Sequence, residues 1–91
     1  MAARSRYGKI ALVEGLFAGQ AARFQLRRVC LEPPLTRRTL VGWEARREGA
    51  LAWQFAPSAE QALARAAHLK RDEGPWPEWI SEAVLAARAR C

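Results

Sequence analysis

The sequence predicts an α+β fold, an antiparallel sheet of about four strands followed by two helices packed on one face (ββββαα). Two patterns carry that prediction. Between residues 22 and 55 apolar and polar side chains alternate with the period of a strand, and from residue 59 the apolar positions recur at the three-and-four spacing of a helix.

The first third reads as two strands, Lys9 to Phe17 and Ala22 to Leu31, joined through Ala18-Gly19-Gln20. Phe24 and Leu26 point inward, and Arg23, Gln25 and Arg27 point outward. The alternation slips at Arg27-Arg28, after which Val29 and Leu31 take the apolar phase, and a bulge at that point restores it. A helix over 11–28 is the alternative, since Val13, Phe17, Ala21, Phe24 and Arg28 also fall at helical spacing. Gly15 and Gly19, each about 1 kcal/mol worse than Ala in a helix, favour the strands. Pro33-Pro34 then ends the second strand and turns the chain through Leu35-Thr36.

A hairpin follows. Val41, Trp43 and Ala45 alternate on one side of an extended run, and Leu51, Trp53 and Phe55 alternate in the next, with Arg46-Arg47-Glu48-Gly49 between. A loop over 47–49 opposes Trp43 to Trp53, Ala45 to Leu51 and Val41 to Phe55, so that the apolar side chains share a face. Gly49 then takes the left-handed position of the turn.

Ser58 reads as the N-cap of a helix from Ala59 to Glu73, with Gln61 completing a capping box. Leu63, Ala66, Ala67 and Lys70 form a narrow stripe of that helix, and Gly74-Pro75 stops it. Pro77 opens a second helix running to about Arg90. Ile80, Val84, Ala87 and Cys91 line its inner side, with Arg88 and Arg90 suited to its C-terminal end.

Ninety-one residues correspond to a single small basic domain, 1–91, with residues 1–6 as a flexible N-terminus. Nineteen of its apolar residues are Ala, so the core is thin and leaves room for a homodimer contact. No apolar run approaches the ~18 residues of a membrane span, and the N-terminus lacks a signal-peptide pattern. A soluble, cytoplasmic protein with no membrane partner is expected.

Cys30 and Cys91 stand far apart in the chain and His68 is the sole histidine, so no metal site is expected and the thiols are read as reduced. Cys30 is assigned to the core, and Cys91 to a disulfide between copies formed only in vitro. His68 falls mid-helix, Asp72 is the one aspartate, and Ser5, Ser58 and Ser81 occupy the N-terminal tail or helix starts. Neither a nucleophile–base pair nor a phosphate-binding glycine loop is visible, and the chain is read as a cofactor-free protein that is not an enzyme.

The charge is more informative. The chain carries a net +6, with ten basic and three acidic side chains in residues 1–47 against five and six in 48–91. Such asymmetry points to a polyanionic partner. Arg23, Arg27, Arg28, Arg37, Arg38, Arg46 and Arg47 are the candidate binding residues, for nucleic acid or an acidic protein surface. With Phe24, Trp43, Trp53 and Phe55 all expected inward, contact is confined to the phosphate backbone and is salt-sensitive. Trp76 and Trp79 flank Pro77, where one of them is expected to cap the core and the other to anchor a protein partner.

Residues 40–73 also carry a likeness to a known family. Leu40-Val41-Gly42-Trp43-Glu44-Ala45-Arg46-Arg47-Glu48-Gly49, Phe55-Ala56-Pro57-Ser58-Ala59-Glu60-Gln61-Ala62-Leu63 and Leu69-Lys70-Arg71 together resemble the cadence of small bacterial WGR domains. The naming Trp-Gly-Arg triplet itself is absent, as Glu44-Ala45 follow Trp43. The resemblance implies a nucleic-acid-binding sheet module. Two function classes therefore stand at this level. One is a non-catalytic module that contacts nucleic-acid backbone. The other is a small regulatory or accessory protein, such as a phage- or plasmid-encoded inhibitor, that binds a larger enzyme or nucleoprotein complex.

Overall fold

The computed structural model describes residues 5–33, 36–71 and 73–89, so the expectations for Pro34, Leu35, Asp72, Arg90 and Cys91 lie outside the described residues. The strands are β1 (Arg6–Tyr7), β2 (Ala11–Phe17), β3 (Gln20–Leu31), β4 (Leu40–Arg47) and β5 (Gln54–Ala56), followed by helices α1 (Ala59–Ala66) and α2 (Glu78–Ala89). All pairings are antiparallel in the order β1-β3-β4-β5, with β2 beside β3 on the same edge as β1. The α+β arrangement with helices on one face is the predicted one. Arg6, assigned by sequence to a flexible tail, instead pairs with Cys30.

Residues 11–31 form strands, not a helix. Ala18 (φ 51°) and Gly19 (φ 80°) both hold positive φ and Phe17 pairs with Gln20, a two-residue turn one residue shorter than expected. The expected bulge lies in the opposite strand. Tyr7 faces Val29 and Ala11 faces Leu26, so three residues, 8–10, oppose two, with Gly8 N–H donating to Arg28 O at 2.8 Å. β3 itself pairs without interruption from Phe24↔Arg47 to Leu31↔Leu40. Strict alternation then turns Val29 and Leu31 to the face opposite Phe24 and Leu26.

The second hairpin has a longer loop than predicted. Gly49 has the expected positive φ (94°) and Ala50 N–H donates to Arg47 O at 2.9 Å, but the strands re-pair only at Trp43↔Ala56, Glu44↔Phe55 and Ala45↔Gln54. This register is shifted by three residues, an odd number, so the whole of β5 is turned over. Leu51 is left in the loop, 96% exposed, and Phe55 leaves the helix side for the open face. The cause is the close approach of α1. Ala45 and Ala56, both fully buried, form the floor on which Ala59, Ala62 and Leu63 sit, and larger side chains at those positions would hold the helix away.

Ser58 caps α1, its Oγ accepting from Gln61 N–H at 3.2 Å. The helix ends seven residues earlier than predicted. His68 takes a left-handed conformation (φ 56°), its N–H donating to Arg65 O and that of Leu69 to Ala64 O, a Schellman closure made without glycine. Leu69 then packs against the core. α2 buries Ile80, Ala83, Val84 and Ala87, and Arg88 reaches Glu60 in the first turn of α1 at 3.8 Å.

α2 lies over β2, and α1 over β4 and β5. Trp79 of α2 packs on Gly15, where a Cβ would come within 2.3 Å of the indole, and stacks on Phe24 with centroids 5.5 Å apart. Two helices of eight and twelve residues, about 12 and 18 Å long, do not cover a twelve-residue strand of roughly 40 Å. The far end of the β3–β4 ladder therefore projects beyond the helices, and the molecule is 44 Å long but only 26 by 22 Å across. There Val41 is 60% exposed, and Cys30 is half-buried beside Glu32 instead of belonging to the core.

Two substitutions test this packing. Gly15→Ala drives a methyl group into the Trp79 ring and is expected to destabilise by about 1–3 kcal/mol in urea unfolding. Ala18→Asn supplies a residue suited to positive φ in the exposed β2–β3 turn and is expected to stabilise by about 0.5–1 kcal/mol in the same measurement.

Candidate nucleic-acid interface

The predicted arginines do not form one row. Cross-strand pairing and alternation place Arg23, Arg27 and Arg46 on the open sheet face, with Arg28 and Arg47 on the helix side. Arg37 and Arg38 stand exposed in the loop before β4.

The open-face arginines are engaged within the fold. Arg27 donates from Nε (3.0 Å) and Nη2 (2.8 Å) to Glu44 Oε1, and both side chains are largely buried, at 18% and 13% exposure. Its guanidinium also lies 4.2 Å from the centre of the Tyr7 ring and 3.9 Å from that of Trp53. Arg46 is fixed from both sides as well, donating from Nε to Gln25 Oε1 at 2.6 Å and lying 4.3 Å from the Trp53 ring centre. Arg23 pairs with Glu48 at 3.2 Å across an exposed surface. Arg47 covers Phe17 at 4.1 Å, beside the edge-on contact of Phe17 with His68.

The remaining predicted cations gather at the projecting end. Arg28 is exposed, 5.7 Å from the Trp43 ring, and has no ion pair among the described residues, nor have Arg37 and Arg38. Thr36 Oγ1 donates to Arg38 O at 2.5 Å and lies 3.4 Å from Leu31 O, which ties the arginine loop to the end of β3. Arg6 joins this end through β1, pairing loosely with Glu32 at 3.6 Å, and Lys9 is exposed in the bulge next to Arg28. Glu32 is the one acidic residue at this end among those described.

Trp76 and Trp79 are both packed against the core, where the sequence reading expected only one. Trp79 is half-buried between α2 and the sheet, and Trp76 lies beside Gly74. The aromatic side chains of the open face were missed by sequence reasoning. Trp53 and Phe55 are expected inward, and Tyr7 falls between the 1–6 tail and the first expected strand, with no role assigned. Phe55 lies over Gly42, where a Cβ would come within 2.8 Å of the ring. Val29, 3% exposed, is flanked across the strands by Gly42 and Tyr7 and nucleates a small apolar patch on this face. The signal for a second packed face is Gly42 itself, a glycine inside a strand that leaves room for the Phe55 ring. Tyr7 had no local signal, because its pairing closes over more than twenty residues.

A groove of about 450 Å³ runs along the other border, between β2 and α2, lined by Leu12, Glu14, Arg23, Trp79, Glu82 and Ala86. Its mixed charge sets it apart from the basic end. No three His, Cys, Asp or Glu side chains converge among the described residues. No helix among the described residues is long and apolar enough to cross a membrane. Comparison with protein-family models, curated proteins and solved structures gives no match.

The geometry divides the arginines by role, and unfolding experiments distinguish the two groups. Arg27→Ala leaves Glu44 half-desolvated and strips the Tyr7 and Trp53 rings of their shared cation, at an expected cost of about 1.5–3 kcal/mol. Arg28→Ala, Arg37→Ala and Arg38→Ala are each expected to stay within about 0.5 kcal/mol of the parent protein in urea titrations.

Proposed function

We propose that this protein is a small non-catalytic binding module that docks on nucleic-acid backbone through the basic end of its sheet. One observation carries this reading. The β3–β4 ladder outruns the helices, and the projecting end holds Arg6, Lys9, Arg28, Arg37 and Arg38 against Glu32 alone among the described residues. Among the described residues Arg28, Arg37 and Arg38 have no carboxylate partner, which leaves their charge to an external anion. Unlike the arginines paired with carboxylates, these side chains gain most from phosphate, which accepts a guanidinium bidentately.

Binding of this kind releases counterions and weakens steeply with salt. A protein partner anchored by tryptophan draws no comparable support, because Trp76 and Trp79 both serve the core.

Fluorescence anisotropy with labelled duplex and single-stranded oligonucleotides, at about 50 and 200 mM salt, tests the proposal. The combined variant Arg28→Ala, Arg37→Ala, Arg38→Ala is expected to bind about 100-fold more weakly near 0.1 M salt and to lower the log–log salt slope by about two to three. Unchanged affinity in that variant, or no binding by the parent protein at about 50 mM salt, refutes it.

A further inference from the structure

The open face has a chemistry that the phosphate-binding end lacks. Tyr7 is 49% exposed, and the Arg27 guanidinium lies over both its ring and that of Trp53, so the two ring centres are at most about 8 Å apart, from 4.2 and 3.9 Å to the shared carbon. Arg46 rests on the same indole, held in orientation by Gln25. These are flat, cation-flanked π surfaces on a sheet face that neither helix covers. Their positions are fixed by a two-bonded ion pair and a cross-strand hydrogen bond, not by flexible stems.

We propose that this face binds single-stranded nucleic acid, with a base stacking on the exposed surface of Tyr7 beside the Arg27–Trp53–Arg46 group. The inference rests on the backbone-docking reading and specifies its ligand. Every base presents a π face, so stacking is tolerant of sequence but requires an unpaired strand. A guanidinium occupies one side of an aromatic ring at most, and half of Tyr7 stays open to solvent. Charge complementarity comes from the neighbourhood. Tyr7 lies in the edge strand β1 between Arg6 and the bulge that carries Lys9; Arg6 and Arg28 project from the opposite face, so a strand whose base meets Tyr7 reaches them by passing its phosphates round that edge. A duplex hides its base faces and gains only the phosphate contacts.

The test compares three labelled ligands of about 15 nucleotides: an oligothymidine, an abasic strand with the same phosphates, and a duplex. The parent protein is expected to bind oligothymidine about tenfold more tightly than the abasic strand. Tyr7→Leu keeps apolar cover over Val29 but removes the aromatic face, and it is expected to erase that difference while leaving duplex affinity within about twofold. Tyr7→Phe is expected to retain it. Equal binding of oligothymidine and the abasic strand, or a Tyr7→Leu variant that keeps the full preference, overturns the stacking proposal and leaves the phosphate-binding arginines standing. Failure to bind any of the three ligands at low salt overturns both.

Discussion

The unbroken β3–β4 ladder is the constraint on which the rest of the molecule depends. Eight consecutive pairs, from Phe24↔Arg47 to Leu31↔Leu40, leave no residue free to change faces, so the face each side chain takes follows from its parity. Phe24, Leu26 and Ala45 meet the helices, while Arg27, Val29, Glu44 and Arg46 do not. The same ladder sets the shape. A helix rises about 1.5 Å per residue and a strand about 3.3 Å, so short helices on long strands leave sheet uncovered at one end.

A core poor in large side chains is made sufficient by close approach. Ala45, Ala56, Ala59 and Ala62 are fully buried, and Phe24, Leu26, Leu63 and Ile80 supply most of the bulk between the layers. Where an aromatic ring has to enter, a glycine makes room for it. Gly15 receives Trp79 on the helix side, and Gly42 receives Phe55 on the open side. Dispersion falls steeply with separation, so small residues that bring backbones together recover part of what they lack in area.

The cations divide along the same lines. Guanidinium groups over Tyr7, Trp53 and Phe17 seal the borders of the two apolar regions, where a weakly hydrated planar cation lies on a ring at little desolvation cost. Beyond the reach of the helices there are few rings and one carboxylate among the described residues, and Arg28, Arg37 and Arg38 remain facing solvent. Net positive charge thus lies at the end of the β3–β4 ladder that the helices leave uncovered.

The sequence by itself determined the elements whose signals are local. Alternation marked the strands, Gly19 and Gly49 marked their turns, Ser58 marked the start of α1, and the spacing of Ile80, Val84 and Ala87 marked the buried side of α2. It also located the asymmetry of charge, since composition needs no geometry. Tertiary structure alone decided which way each strand faced. The three-residue shift between β4 and β5, the turning of Val29 to the open side and the early end of α1 at His68 each answer to partners distant in the chain: the alanine floor beneath α1, the cover given by Tyr7 and Gly42, and the seat of Leu69 on the core. Period-two patterns fix alternation but not its origin. A single odd slip exchanges inside for outside at no local cost, and only the packing of the opposite layer supplies the energy that chooses between the two.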